Sequence, residues 1–180
     1  KKAEKTAFMK RMLKKNITPL EYYKYIKNQS CAYIALEHKA TLAGWFDFEN
    51  EDLYPIKRGA ALLEDVKEME KIHGFTYTDA PILSTTNEYI NHIENIREDK
   101  DKLFAHIYVR HMGDLSGGQI IKKLVPGPAR VYDFDTDVDQ LKQAVRKRLH
   151  DGLADEANQC FVMVQNFLKE LEESFDRNVG

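Results

Sequence analysis

The sequence of 180 residues contains few prolines, glycines and cysteines and carries little net charge. Five Pro and nine Gly are too few for a loop-rich, all-β or collagen-like protein. Lys and Arg number 27 and Asp and Glu 29, and a net charge of -2 argues against non-specific nucleic-acid binding. No apolar run approaches the roughly 20 residues that span a bilayer. The two cysteines, Cys31 and Cys160, form no CxxC motif, so we expect buried thiols in a reducing compartment, with a single disulfide as the alternative.

What the sequence does have is helical periodicity along almost its whole length. The apolar spacing predicts helices over approximately 3–15, 19–43, 57–73, 85–96, 100–124, 139–150 and 155–176. Capping boxes at Thr18-Pro19-Leu20-Glu21 and Thr85-Thr86-Asn87-Glu88 predict two of the helix starts. Residues 129–137 read instead as a short extended or hairpin segment. We therefore predict a single all-α domain over residues 1–180, whose topology these patterns do not fix.

The most unusual stretch is a predicted helix that contains Gly113, Gly117 and Gly118. Each glycine inside a helix costs about 1 kcal/mol relative to alanine. Gly113 and Gly117 are four residues apart and share a face, so the backbone there is open to close approach by a flat group. A glycine-lined helix crossing is the alternative. Arg110 and Asp114, also four apart, can form an ion pair beside this face and favour a polar pocket.

This stretch resembles the distal-helix signature of the haem oxygenases at every fixed position: Tyr108-x-Arg110-x-x-Gly113-Asp114-Leu115-Ser116-Gly117-Gly118-Gln119. Four other segments resemble motifs of that family, in order along nearly the whole chain: Ala3-Glu4-x-x-x-Phe8, Tyr33-Ile34-Ala35-Leu36-Glu37, Arg58-Gly59-Ala60-Ala61-Leu62-Leu63-Glu64-Asp65 and Glu156-Ala157-x-x-x-Phe161. The resemblance implies a haem-oxygenase-like all-α fold, in which haem lies between a proximal and a distal helix.

The resemblance also implies an activity. Haem would be both substrate and cofactor, and O2 with electrons from an external donor would convert it to biliverdin, Fe(II) and CO. Asp114 would orient, through water, the proton donors that assist hydroperoxide formation, while Arg110 and Tyr33 hold Asp114 in place. The expected haem contacts are Gly113, Gly117, Tyr108, Lys142, Arg146 and Phe161.

Basic residues near position 145 have two interpretations. By resemblance, Lys142 and Arg146 would hold the haem propionates together with the hydroxyl of Tyr108, and Lys147 and Arg148 would belong to a docking surface for an acidic electron donor. Without the resemblance, the same residues would be read as a solvated helix face.

The iron ligand is the main departure from the family pattern. The proximal histidine of the motif would fall immediately before Lys1, and Glu4 would then accept a hydrogen bond from it. We interpret the missing residue as trimmed from the chain; the alternative is a non-catalytic haem-binding or haem-sensing protein that has lost the ligand. None of the six histidines is an obvious substitute, and His111 stands where the family usually has tyrosine. A di-iron bundle is disfavoured, because it needs paired Glu-x-x-His motifs and Glu70-x-x-His73 has no second copy.

The sequence contains no flavin or iron–sulfur motif, so electrons are expected from a separate protein. The short chain without a hydrophobic tail resembles the photosynthetic and bacterial branch of the family, where ferredoxin is the usual donor. Ferredoxin or another reductase is therefore the expected partner. By the same analogy we expect a monomer without nucleic-acid or membrane association, located in the cytoplasm or, in a photosynthetic eukaryote, in the plastid stroma.

Overall fold

The computed structural model describes residues 6–176, and in this range it contains seven α-helices and no β-strand, which confirms the all-α prediction. The helices are α1 (Ala7–Leu13), α2 (Pro19–Leu42), α3 (Gly59–His73), α4 (Ser84–Asn95), α5 (Lys100–Ile121), α6 (Val138–Arg146) and α7 (Ala154–Asp176). Short 3-10 turns occupy several of the connections, over Phe48–Asn50, Tyr54–Ile56, Tyr77–Asp79, Arg130–Tyr132 and Asp151–Leu153. No helix within the described range has the length and apolarity needed to cross a bilayer.

The capping box predicted at the start of α2 is confirmed. The Thr18 hydroxyl accepts from the Glu21 N–H at 3.1 Å, and the Glu21 carboxylate accepts from the Thr18 N–H at 3.0 Å. Pro19 occupies the first helical position, where its missing N–H costs nothing. At the C-terminal end of α3, Gly74 has a φ of 71°, a left-handed conformation that favours glycine.

The capping box predicted at Thr85 is wrong. Helix α4 begins at Ser84, and no side chain of its own segment caps it. Instead, Glu170 on α7 accepts from the Thr85 N–H and hydroxyl, at 2.9 and 2.7 Å. The Thr86 hydroxyl donates to the Asn28 side chain on α2 at 2.8 Å. Tertiary partners therefore satisfy the hydrogen-bonding groups for which the local pattern predicted a self-contained cap.

The extended or hairpin segment predicted after Pro128 is also wrong. Its residues Arg130–Tyr132 form a 3-10 turn. The buried Asp65 carboxylate on α3 accepts from the N–H groups of Arg130 and Val131, both at 3.2 Å. The buried Arg58 guanidinium donates to the Asp133 carbonyl at 2.8 Å. Because these two side chains satisfy backbone groups that a neighbouring strand would otherwise have to satisfy, no hairpin is needed.

The helices enclose two apolar cores. Helix α2 packs against α3, α4 and α5, and α7 packs against α1, α4 and α5. One core lies among α4, α5, α6 and the second half of α2, and includes Leu36 and Ile107. The other lies among α1, α3, α7 and the first half of α2, and includes Phe8 and Tyr22. Val164 on α7 contacts both, so the place where the two cores meet is bounded by α2, α5 and α7.

Candidate functional site

A cavity of about 270 Å³ lies where the two cores meet. It is bounded by α1, α2, α5, α7 and the 3-10 turn that contains Tyr132. Most of its wall is apolar, and its polar side chains come from α2, α5 and the 3-10 turn that contains Tyr132. The lining residues are Met9, Tyr25, Gln29, Tyr33, Val109, Arg110, Gly113, Asp114, Ser116, Gly117, Ile121, Tyr132, Phe161, Val164 and Leu168.

The glycines of α5 divide into two kinds. A Cβ on Gly113 would meet no other atom of the described residues within 4 Å, and one on Gly117 would meet only Ile121, at 3.8 Å. Both glycines line the cavity, so their bare backbone forms one of its walls. A Cβ on Gly118 would lie 2.6 Å from the Tyr132 ring, so this glycine permits close packing. The alternative of a glycine-lined helix crossing is therefore wrong for Gly113 and Gly117, and Gly118 packs against a 3-10 turn and not against a helix.

Asp114 directly follows Gly113, lies one helical turn before Gly117, and contributes a carboxylate to the cavity wall. The Tyr33 hydroxyl on α2 donates to Asp114 Oδ2 at 2.7 Å. Burial raises the pKa of Asp114 to about 6, and the electrostatic interaction with His111, the Tyr33 hydrogen bond and the charges of Arg58 and Arg110 work in the opposite direction. Burial and the Asp114 charge also raise the pKa of Tyr33, so the phenol stays protonated and holds the carboxylate in place.

Arg110 lines the cavity but does not form the predicted ion pair with Asp114. Its guanidinium donates to the Gln29 side chain at 3.1 Å and lies over the Tyr89 ring, 4.0 Å from the centroid. These partners on α2 and α4 draw the guanidinium away from its helical neighbour, and no carboxylate of residues 6–176 lies within 4.0 Å of it. Its Nε is buried and has no hydrogen-bond partner among the described residues, so one donor stays unused beside the cavity.

The other predicted haem contacts fall in three places. Phe161 on α7 lines the cavity. Tyr108 does not line the cavity and is half-buried against the core around α4–α6. Lys142 and Arg146 do not line the cavity either: on α6, Lys142 is half-buried and Arg146 is exposed. Glu4 lies outside the described residues, as does the position before Lys1.

Lys147 and Arg148, the residues expected at a docking surface for an electron donor, both contact Asp52. The Arg148 guanidinium donates to the Asp52 carboxylate at 2.7 and 3.2 Å and to the Asn50 side chain, and Lys147 lies 2.6 Å from the same carboxylate. The two basic charges are therefore partly neutralised within the molecule.

None of the histidines lines the cavity as the structure describes it. His38, His73 and His150 are exposed, and His92 is half-buried in the last turn of α4. His92 and His106 both place Nε2 near the Glu156 carboxylate, at 2.8 and 3.0 Å, and their three ligand atoms are close enough to share a metal ion. Each of these atoms is already hydrogen-bonded within the trio, so we regard it as a structural network between α4, α5 and α7.

Sequence reasoning missed the contribution of α2 to the cavity beyond Tyr33. Tyr25 and Gln29 also line it, and the Gln29 side chain donates to the Tyr25 hydroxyl at 3.2 Å. The spacing contained the signal, because residues 25, 29 and 33 are four apart and share one face of a helix. Tyr132 had no such signal, since its position depends on the turn held by Arg58 and Asp65.

The residues present fit a flat, largely apolar ligand with a reactive centre. The bare backbone at Gly113 and Gly117 is a surface that any side chain would obstruct, and the apolar wall is interrupted by one titratable carboxylate and one unused donor. Fold and cavity together define an all-α protein that presents a glycine-faced helix to such a ligand.

Comparison with known proteins agrees with this class. The family model described as "Heme oxygenase" matches residues 1–179. The heme oxygenase of Guillardia theta is 31% identical over 201 residues, which cover 97% of this chain and 82% of the relative. The structure of heme oxygenase from Leptospira interrogans has a TM-score of 0.78 at 26% identity, covering 94% of this chain and 92% of that one. Heme oxygenase-1 from the cyanobacterium Synechocystis, solved in complex with heme, has a TM-score of 0.79 at 26% identity, covering 99% and 89%.

The chain belongs to the haem oxygenase family, and it is an enzyme of that family. The family resemblance of its sequence motifs is thereby confirmed.

Proposed function

We propose that this enzyme binds haem in the cavity against α5 and cleaves it, with O2 and electrons from a separate donor, to biliverdin, Fe(II) and CO. The observation that carries the proposal is the open backbone at Gly113 and Gly117 beside the Asp114 carboxylate. The heme complex of the Synechocystis relative, which shares the fold, supports it.

The two cavity glycines determine what approaches the reacting centre. Bound haem supplies the iron on which O2 is activated. A side chain at position 113 would project into the cavity, and its absence leaves room for a diatomic molecule between helix and ligand. The surrounding apolar wall, including Val164 and Leu168, limits the access of bulk water.

Asp114 handles protons in this proposal. With a pKa of about 6, its carboxyl is mostly ionised at pH 7 and accepts hydrogen bonds from the water that donates protons beside the ligand. The Tyr33 hydroxyl fixes one carboxylate oxygen, which leaves the other free to order water beside the ligand. The unused Nε–H of Arg110 is a second group that a water molecule in this region would satisfy.

The remaining assignments concern the edge of the ligand and the partner protein. Lys142 and Arg146 on α6, with Tyr108 on α5, are proposed to hold the propionates through their long or hydroxyl-bearing side chains. Within residues 6–176 neither Lys142 nor Arg146 has an ion-pair partner, so both charges are available to a ligand. Ferredoxin or another reductase is proposed as the electron donor, the histidine before Lys1 as the iron ligand, and Glu4 as its hydrogen-bond acceptor.

The proposal is tested with the full-length protein loaded with haem and supplied with ferredoxin and its reductase. We expect loss of the Soret band, a bilin identified as biliverdin by chromatography, chelatable Fe(II) and CO. Asp114→Asn should lower the rate by about 100-fold or more, in the range for general acid–base groups. Asp101→Asn, an exposed substitution on the same helix, is the matched control and should leave the rate unchanged.

A Soret band that persists with no bilin would overturn the proposal. That result would favour the alternative of a haem carrier or sensor, which has no need of a titratable carboxylate beside the ligand.

A further inference from the structure

His111 is buried on α5 and has an acceptor at each ring nitrogen. Nδ1 lies 3.0 Å from the Ile107 carbonyl oxygen, and Nε2 lies 2.9 Å from Oε2 of Glu37 on α2. A carbonyl oxygen can only accept, so Nδ1 must carry a proton to make its hydrogen bond. The charge of the ring therefore depends on whether Nε2 also carries one.

The protonation of Nε2 depends on Glu37, whose environment favours the ionised carboxylate. Oε2 accepts from the Arg58 N–H at 2.6 Å and Oε1 from the Gly59 N–H at 2.9 Å, at the start of α3. Burial by itself would raise the pKa of Glu37, but the hydrogen bond and electrostatic interaction with His111, together with the backbone hydrogen bonds from Arg58 and Gly59, outweigh it and lower the pKa below its ordinary value. An ionised Glu37 accepts from Nε2, so both ring nitrogens carry protons. A neutral ring would direct a lone pair at one of the two acceptors.

The resulting cation lies next to the cavity carboxylate. His111 and Asp114 are three residues apart on α5 and so lie on neighbouring turns of one face. Tyr33 connects them, because its ring packs edge-on against the imidazole, with centroids 5.2 Å apart, while its hydroxyl donates to Asp114. We propose that His111 is a positioning residue, held as an imidazolium by Ile107 and Glu37, whose fixed buried charge keeps Asp114 ionised during turnover. This inference rests on the proposed role of Asp114.

Several other groups face Asp114 and must be set against this effect. Arg110 on the same helix and Arg58 before α3 are permanently charged and favour the carboxylate in the same direction as His111. Tyr25 and Tyr33 on α2 and Tyr132 in the 3-10 turn are neutral near pH 7, because burial raises the pKa of each. The two arginines do not titrate near neutral pH, so their effect on Asp114 is constant. The imidazolium is also the cation that a neutral substitution removes with the least change of shape.

The protonation of His111 is measured on the haem-free protein by nitrogen-15 NMR of the imidazole. Because each ring nitrogen faces an acceptor, we expect both to be protonated at pH 7. A ring with one protonated nitrogen at pH 7 would overturn the proposal, whatever the activity of any variant.

The effect on Asp114 is measured by titrating its carboxyl carbon-13 signal in the haem-free wild type and in His111→Gln. Gln offers an amide donor to Glu37 but no charge, so the Asp114 titration should move to higher pH by about one unit or more. In His111→Gln, the acidic limb of the pH profile of haem degradation should move to higher pH by the same amount as the Asp114 titration. The rate at pH 5, relative to the rate at high pH, should therefore fall about tenfold further than in the wild type. His106→Gln is the matched control, because this buried histidine on the same helix bonds Glu156, and it should leave the Asp114 titration in place.

The two proposals fail in distinguishable ways. If Asp114→Asn abolishes turnover and the Asp114 titration is unmoved in His111→Gln, the inference about His111 is wrong and the proposed function stands. If Asp114→Asn degrades haem at the wild-type rate, the proposed role of Asp114 is wrong, and the NMR result still decides the charge of His111.

Discussion

Replacing Asp114 with asparagine should make the haem-free protein more stable near neutral pH. Burial raises the pKa of Asp114 to about 6 from the ordinary 3.8. A carboxyl whose folded-state pKa is raised stabilises the fold fully below pH 3.8, and that contribution is lost as the pH rises through 6. Asparagine carries no charge to desolvate, and its side-chain oxygen can accept the Tyr33 hydrogen bond as the carboxylate does. The carboxylate, in the role that we propose for it, therefore costs stability at neutral pH.

The size of the effect follows from the two pKa values. Each unit of difference between the folded and unfolded pKa corresponds to about 1.4 kcal/mol. Ionisation of Asp114 therefore lowers the free energy of unfolding by about 3 kcal/mol at pH 7.5 and by only about 0.6 kcal/mol at pH 4. Because part of the half-buried carboxylate faces the open cavity, solvent screening makes 3 kcal/mol an upper bound, and we expect a gain of about 1 to 3 kcal/mol at pH 7.5.

The assay is urea unfolding of both proteins at pH 4 and pH 7.5, followed by circular dichroism. Asp101→Asn serves as the control for a change of net charge and should shift the free energy of unfolding by less than about 0.5 kcal/mol. A variant at position 114 that is equally stable or less stable than the wild type at pH 7.5 would refute the reasoning, since the buried charge would then cost nothing.

Two further predictions concern the cavity wall and the ligand edge. Gly113→Ala should stabilise the haem-free helix by up to about 1 kcal/mol and weaken haem binding, because the added methyl group enters the cavity. Gly118→Ala should destabilise the protein by about 1 to 3 kcal/mol, because its Cβ would lie 2.6 Å from the packed Tyr132 ring. Thermal unfolding and haem titration separate the two effects, and similar behaviour of both variants would contradict the distinction. Lys142→Ala combined with Arg146→Ala should raise the Kd for haem by about tenfold or more. Spectroscopic titration checks this against Lys71→Ala, an exposed control on α3, and an unchanged Kd in the double variant would remove these residues from the site.

The helices and their number could be predicted from the sequence because local interactions decide them. The Thr18–Glu21 capping box and the left-handed Gly74 are contained in a few adjacent residues, and the structure shows both. The cavity glycines Gly113 and Gly117 could be recognised for the same reason, since four residues of helix place them on one face.

Partner choice could not be predicted, because it depends on which elements meet. Arg110 and Asp114 have the spacing of an ion pair, yet Arg110 bonds Gln29, 81 residues away in sequence. Thr85 and Glu88 have the spacing of a capping box, yet Thr85 bonds Glu170. In both cases a distant side chain competes successfully with a local one, and sequence spacing carries no information about that competition.

The sequence by itself determined that this chain is all-helical, that one of its helices carries a glycine face beside a carboxylate, and that it resembles the haem oxygenases. Only the tertiary structure decided the electrostatics of that carboxylate. Glu37 and His111 are 74 residues apart, and their bond exists because α2 packs against α5. Helix formation needs only neighbours along the chain, whereas the charge on a buried group depends on every dipole and ion that packing brings within a few ångströms.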